Sequence, residues 1–446
     1  MVLEKEAVPR GAEGLNIAIV GTGIAGMSAA WLLSKAHRVT VYEKSPRIGG
    51  HSNTVTMPFR GGSLPVDMGF IVYNERTYPN LTALFQHLGV PTKASDMSFA
   101  VSLDAGALEY AGTGLGGLLA QPRNMLRPRF WSMVADVLRF YRTAPKNGRL
   151  ATSGESLGDY LRSRGYGEAF VQDHLLPMAA AIWSTPVARI ADHPAASFIR
   201  FCDNHGLLQL RHRPVWRTVV GGSRAYVERL TAAYRNNIRI GCGVRSMARH
   251  EDCVMLRLCS GETVRHDQVV IATHSDQALA LLERPTRAEQ TILGALRYGE
   301  NAAVMHADAR LMPRRRKVWA SWNFIGGDPG ALPCVTYWMN RLQGLPPDIP
   351  VFVTLNPQRE PAAEQIIRRE TYAHPIFDAA AISAQRQLWS LQGMQRTWYC
   401  GAYFGAGFHE DGLQAGLAVA EQLGGLRRPW EVAGESERIY LPRLAA

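Results

Sequence analysis

The sequence predicts an α/β fold, a parallel sheet layered between helices and interrupted by inserted α+β segments. Three stretches predict it. The first is an apolar run, Asn16-Ile-Ala-Ile-Val20, a glycine turn, Gly21-Thr-Gly23-Ile24-Ala25-Gly26, a small-residue helix and a second run, Val39-Thr-Val-Tyr-Glu43. The second is a short strand over residues 238–244, a hairpin through Ser260-Gly261, and the buried run Gln268-Val-Val-Ile-Ala272-Thr273. The third, residues 397–421, reads as an apolar strand, a glycine-rich turn and a helix.

Each part of the first stretch has a physical task. Gly21 permits the tight turn, Gly23 lets backbone approach a pyrophosphate, and Gly26 lets the helix pack close to the sheet. Ile24 and Ala25 open that helix, whose N-terminus faces phosphate charge. Glu43 is placed to accept hydrogen bonds from a ribose diol. A glycine pattern alone is weak, but inside a phased strand–helix–strand unit it is a strong sign of dinucleotide binding.

Lys44 then leads into a second paired-glycine turn, Gly49-Gly50-His51. Its backbone amides could meet a second phosphate or a ribitol, which favours FAD over NAD. An ordinary solvent loop is the plain alternative. In the third stretch Asp411 sits where a helix N-cap could. Gly412 and Gly416 share one helix face, which permits close packing against another backbone or a flat ring. A generic helix cap is the alternative there, and the second stretch needs no ligand to exist as a hairpin.

Bulk properties narrow the class. The chain has 446 residues, 46% hydrophobic and 20% charged, which predicts a globular protein of two or three structural domains. Residues 1–6 carry acids and no apolar core, so no signal peptide is expected, and no apolar run is long enough to span a membrane. A cytoplasmic location is the expectation, with peripheral attachment to the inner membrane face as an extension. The six cysteines form no CxxC pair, and no metal site is expected.

The formal charge of +11 suits nucleic acid, anionic membrane or acidic substrates. No nucleic-acid-binding motif accompanies it, so nucleic acid is not expected. Arg123, Arg127 and Arg129 lie among Leu126, Phe130, Trp131, Val134, Leu138, Phe140 and Tyr141. The spacing 131, 134, 138, 141 fits either an interfacial membrane helix or a core helix with solvated arginines. Arg314-Arg-Arg-Lys317 reads as a solvated loop that could reinforce a basic face.

The nucleotide-binding domain is expected to be discontinuous, from residues 14–90, 203–275 and 390–446. Residues 91–202, mostly helical, and 276–389, β-rich, would form the substrate domain. His409 and Glu410, at the last glycine turn, have the best positional claim to acid–base or ring-contacting roles. They could equally satisfy the backbone of that turn. Trp183 and Trp216 are cavity candidates, though such residues are more often core. Tyr399 and Tyr403 could supply part of an aromatic wall, and residues 436–446 are expected to form a surface tail.

The stretch from Ile17 to Gly50 resembles the flavin-containing amine oxidase superfamily, which includes amine oxidases, protoporphyrinogen oxidases and carotenoid desaturases. The resemblance implies a glutathione-reductase/amine-oxidase type FAD-binding Rossmann-like domain with an inserted α+β substrate domain. That family usually has Arg directly after the paired glycines, where this chain has His51. It also implies that Val244 meets adenine through its backbone and that residues 269–273, with Ala272 and Thr273, lie behind the ADP. The turn through Gly405 and the helix start at Asp411, Gly412 and Leu413 would face the flavin pyrimidine end. FAD is expected to be non-covalent, since no cysteine has an attachment context.

Finer similarity runs to a bacterial group of FAD-binding proteins often encoded beside cyclopropane-fatty-acyl-phospholipid synthase. It is carried by residues 67–74, 216–223, 272–279, 337–343 and 407–412, and extends over nearly the whole chain. It implies hydride transfer from an apolar, fatty-acyl or lipid substrate to FAD. The alternatives are an amine or polyamine oxidase, and a non-catalytic flavoprotein partner of a lipid-modifying methyltransferase. Lys317, the one lysine of residues 276–389, sits in the arginine cluster, which counts against the amine reading. The expected partners are a small-molecule or lipid substrate, an anionic membrane surface and that methyltransferase.

Overall fold

The computed structural model describes residues 14–147, 155–204, 206–209, 213–328 and 330–442. Residues 1–6 and 443–446, named above, lie outside them. The central sheet has five parallel strands in the order Ile238–Arg239, Arg38–Tyr42, Asn16–Val20, Gln268–Ile271, Thr397–Tyr399. Strands of a parallel sheet are covered on both faces, so they read as continuous apolar runs; Ile17 to Val20 and Val269 to Ile271 are all buried.

Every residue of the first helix, Ile24–Leu33, is buried. It is caught between this sheet and the terminal helix His409–Gly424. Close approach explains the glycines of that last helix. A Cβ on Gly416 would stand 2.2 Å from the Ala25 carbonyl oxygen, and one on Gly412 2.9 Å from Ile24 Cγ2. Of the two partners the spacing allowed for this face, a helix backbone is the one the structure shows.

The stretch 238–244 is not one strand. Arg239 ends the first piece; Gly241 (φ +63°) turns the chain, and Val244–Arg249 starts a separate antiparallel sheet with Val254–Leu258 and Thr263–His266. The break is fixed by the Gly241 and Cys242 amides, which donate to the carbonyls of Ser45 (3.0 Å) and Glu43 (2.8 Å).

A seven-stranded sheet stands over the central one, in the order Ile366–Ile376, Arg297–His306, Phe352–Leu355, Cys334–Trp338, Trp322–Ile325, Phe99–Leu103, Leu108–Ala111. Phe99–Leu103 pairs in parallel with Trp322–Ile325, joining two distant parts of the chain. Helices Pro128–Asn147, Leu157–Ser163 and Leu176–Trp183 pack on its far end. The first of these buries Phe130, Met133, Phe140 and Ala144, while Trp131 and Leu138 face outward. The stripe 131, 134, 138, 141 is therefore not the core stripe. The buried set starts one residue earlier and follows the same helical period.

Residues 436–440 are not a loose tail. Ile439 is buried, and Arg438 pairs with Asp411 (3.2 Å) and donates to the Thr77 carbonyl. Among the described residues no helix is long and apolar enough to cross a membrane.

Candidate functional site

The two glycine turns form one cradle at the C-terminal edge of the central sheet. Gly21 has φ +103°, and its amide donates to the Tyr42 carbonyl at 2.9 Å. A Cβ on Gly26 would lie 2.1 Å from the Gly21 carbonyl oxygen, whereas one on Gly23 meets nothing within 4 Å. Open space thus lies over the start of the first helix, where the amides around Gly23, Ile24 and Ala25 have no intrahelical acceptor. The second turn rests on the first: Gly49 donates to the Thr22 carbonyl (3.1 Å), and a Cβ on Gly50 would be 3.0 Å from Gly23 Cα.

Glu43 ties the cradle from beneath. Its Oε2 accepts from the Thr22 amide (3.0 Å) and the Thr22 hydroxyl, and its Oε1 accepts from the Ser45 amide (2.9 Å). A carboxylate has about four acceptor positions, so one remains for a ribose hydroxyl. Ala272 and Thr273 wall the same turn. The positions of a Gly21 Cβ and the Ala272 carbonyl oxygen lie 3.1 Å apart. Lys44 is exposed, its Cβ 3.2 Å from a Cβ placed on Gly243, and Val244 follows as the first residue of the outer sheet. The structure brings these residues to one edge; Thr22, which sequence reasoning passed over, links Glu43 to both turns.

The terminal helix corrects two expectations. Its N-cap is Phe408, not Asp411. Gly407 (φ +91°) turns the chain early enough that Asp411 falls in the first helical turn, where its Oδ2 accepts from the Phe408 amide at 2.7 Å. Asp411 is buried, which raises its pKa, and Arg438 opposes that shift. Gly405 is glycine because a Cβ there would stand 2.7 Å from the Asp411 carboxyl carbon. Leu413 is fully buried in the core.

Glu410 is removed as an acid–base candidate. Its Oε1 accepts from the Asn80 amide (3.0 Å), Asn80 Nδ2 (2.8 Å) and Gln414 Nε2 (3.0 Å), and its Oε2 accepts from the Leu81 amide (3.0 Å). The carboxylate is fully buried and satisfies the first amides of helix Pro79–His87. Tyr399 is likewise buried in the core, donating to Glu289 at 2.7 Å rather than walling a cavity.

His409 reaches the chain just after the second glycine turn. Its ring stacks on Phe70 with centroids 3.8 Å apart, and Nε2 lies 3.0 Å from both Ser52 Oγ and Tyr226 Oη. Burial pushes its pKa down to about 3, so the ring is neutral at ordinary pH.

A group of imidazoles was not legible beforehand. His51, directly after the second turn, lies 6.3 Å from His274, 5.7 Å from His374 and 5.0 Å from Tyr372, ring centre to ring centre. His274 stacks on Tyr298 at 4.3 Å. Burial, and then the neighbouring imidazoles, hold His51 well below the usual histidine range, and the same causes bring His374 to about 4. The buried His51 Nε2 and His274 Nδ1 have no hydrogen-bond partner among the described residues. Buried polar atoms left open are uncommon and point to a group that a bound molecule completes. Together with the open space over Gly23, they fit a dinucleotide cofactor.

A separate cavity of about 230 Å³ adjoins the terminal turn, between Trp183, Phe201, Phe377 and Ile382, and reaches Gly405 and Ala406.

The comparisons agree with this geometry. The family model for flavin containing amine oxidoreductase matches residues 24–310. The fold is similar to putrescine oxidase bound to putrescine, at 15% identity over 92% of this chain and 99% of that one, with a TM-score of 0.65. It is similar to cyclohexylamine oxidase from Brevibacterium oxydans IH-35A, at 15% identity over 92% and 99% of the two chains and a TM-score of 0.60. A CLA-producing fatty acid isomerase from P. acnes aligns at 16% identity over 91% and 97%, with a TM-score of 0.61. At these identities the structural likeness is one of fold. Bound there, FAD would supply a two-electron acceptor, which the two glycine turns, Thr22 and Glu43 would hold. With its cradle, its fold and a match across most of its length, the chain belongs to the flavin containing amine oxidoreductase family and is an FAD-dependent oxidoreductase.

Proposed function

We propose that the protein oxidises an apolar substrate, a fatty-acyl or other lipid chain, at a carbon–hydrogen bond. The observation that carries this reading is the cavity beside Gly405. Its walls of Trp183, Phe201, Phe377 and Ile382 reward aliphatic surface, at about 25 cal/mol per Å² removed from water. On its rim Arg200 is exposed and has no ion-pair or hydrogen-bond partner among the described residues. A guanidinium there suits the carboxylate or phosphate end of an acyl compound.

The same rim is less suited to an amine. Asp411 is already matched by Arg438, and Glu437, the carboxylate left on the rim, is exposed. Lys317 lies exposed in the short turn Arg316–Val318. The fold itself does not choose, since putrescine oxidase and a fatty acid isomerase share it. The resemblance to a group encoded beside cyclopropane-fatty-acyl-phospholipid synthase adds support for lipid.

The test is anaerobic bleaching of the bound flavin. Detergent-dispersed fatty-acyl lipids should bleach it, and Arg200→Glu should raise the KM for an acyl carboxylate about ten-fold while kcat holds, as expected for lost uniform binding. Bleaching by amines alone would replace this reading with the amine oxidase one. Bleaching by neither, with tight binding of a lipid methyltransferase, would favour the non-catalytic partner role.

A further inference from the structure

We propose that the face carrying Arg123, Arg314 and Arg315 docks the protein on an anionic phospholipid bilayer, with Met125, Leu126 and Trp131 as its apolar anchors. The proposal rests on the lipid reading for its purpose, but not for its evidence.

A surface groove of about 510 Å³ gathers residues 104–107 with Arg123, Arg314 and Arg315. These arginines come from two distant stretches that sequence order keeps apart. Glu109 neutralises Arg315 at 2.8 Å. The side chains of Arg123 and Arg314 have no acidic partner among the described residues. Asp104 is the carboxylate of the groove itself. Around it, Arg127 donates to the Ala107 carbonyl at 2.9 Å, Arg316 lies 4.4 Å from the Trp319 ring centre, and Lys317 is exposed. Cations therefore outnumber Asp104 and Glu109 on this face, in a chain of formal charge +11.

Apolar side chains stand beside that charge, open to water. Leu126 is 85% exposed, Met125 48% and Trp131 45%. They lie together, because Trp131 Nε1 donates to the Met125 carbonyl at 2.9 Å. Leu115, 76% exposed, sits on the short helix Leu115–Leu118, which packs on the Arg316–Val318 turn. Isolated exposed leucines need no explanation, but a group of them edging a basic groove does. Guanidiniums pair with lipid phosphates, and the leucine, methionine and indole side chains enter the headgroup–acyl boundary. A nucleic acid would use the groove and leave the apolar residues unexplained.

The test is co-sedimentation of the flavin-loaded protein with phosphatidylcholine vesicles, with and without phosphatidylglycerol. Wild type should partition strongly only when phosphatidylglycerol is present, and high salt should release it. Arg123→Gln with Arg314→Gln should weaken partition about twenty-five-fold, from about five-fold for each arginine near the surface. Leu126→Glu should weaken it with flavin content unchanged, since Leu126 supports nothing in the fold. The proposal is overturned if wild type ignores phosphatidylglycerol vesicles, if the variants sediment as wild type does, or if duplex DNA displaces the vesicles. Flavin bleaching by detergent-dispersed lipid, read on the same variants, separates the two readings. Docking without bleaching keeps the membrane face and removes the lipid substrate. Bleaching in variants that no longer dock places the defect at the surface rather than at the flavin.

Discussion

At the scale of single residues, the cradle depends on hydrogen atoms where other residues carry carbon. A methyl group at residue 26 would meet the Gly21 carbonyl oxygen at 2.1 Å, a backbone atom that cannot step aside. Gly26→Ala should therefore purify without flavin, which absorbance will show. Glu410 makes a different forecast. Glu410→Ala strands the amides of Asn80 and Leu81 and should cost about 1–3 kcal/mol or more. It should lower the melting temperature and leave kcat of the folded enzyme close to normal, the reverse of what an acid–base residue would do. His374 predicts an acid-sensitive fold. Its pKa is near 4 in the folded chain and near 6.5 unfolded, so below pH 6.5 the unfolded chain binds a proton that the folded one refuses. Its contribution is complete above about pH 6.5 and is lost as pH falls towards 4. His374→Asn should flatten that part of the melting-temperature profile.

Among the elements, what could be read beforehand is what local chemistry decides. The first strand, turn and helix were legible because a parallel strand shows an unbroken apolar run and because the turn demands glycines at fixed offsets. The terminal helix was legible as a helix, but its cap was not. Phe408 holds that position because Gly407 turns the chain, and the spacing of Asp411 alone could not show it. Long-range partners left no local trace at all. Glu410 is consumed by Asn80, and the imidazole group joins His51, which stood out by its place after the paired glycines, to His274 and His374, whose spacing gave no sign of that meeting. The docking of residues 436–440 was hidden for the same reason. Its weight can be measured: Arg438→Met leaves buried Asp411 without its cation and should cost about 3–5 kcal/mol in a denaturant titration.

Over the whole molecule, the cofactor should act as a structural member. The cradle joins the first turn, the Gly49–Gly50 turn and the end of strand Gln268–Ile271, so occupancy ties together parts far apart in sequence. Free FAD at about a hundred times its Kd should add about 2.7 kcal/mol to stability. Deflavinated protein should accordingly melt at lower temperature in calorimetry, and added FAD should restore the transition in proportion to the logarithm of its concentration. The fold class and the cofactor were accessible from sequence because both follow from phased glycines. The cavity beside Gly405 was not, because it is walled by helices and loops from separate stretches, and their meeting is a property of the folded chain.

The order of the central sheet carries a consequence for how the protein is made. Strand Thr397–Tyr399 and helix His409–Gly424 close the sheet that Asn16–Val20 begins, and the glycines of that helix seat the first helix. A ribosome delivers these pieces in the opposite order of need. At about 5–20 residues per second, roughly twenty to seventy-five seconds separate emergence of the first strand from that of the last. Through that interval Ile24–Leu33, apolar on every side, has no lid. The nascent chain therefore carries an uncovered apolar helix until residues 397–424 emerge to cover it.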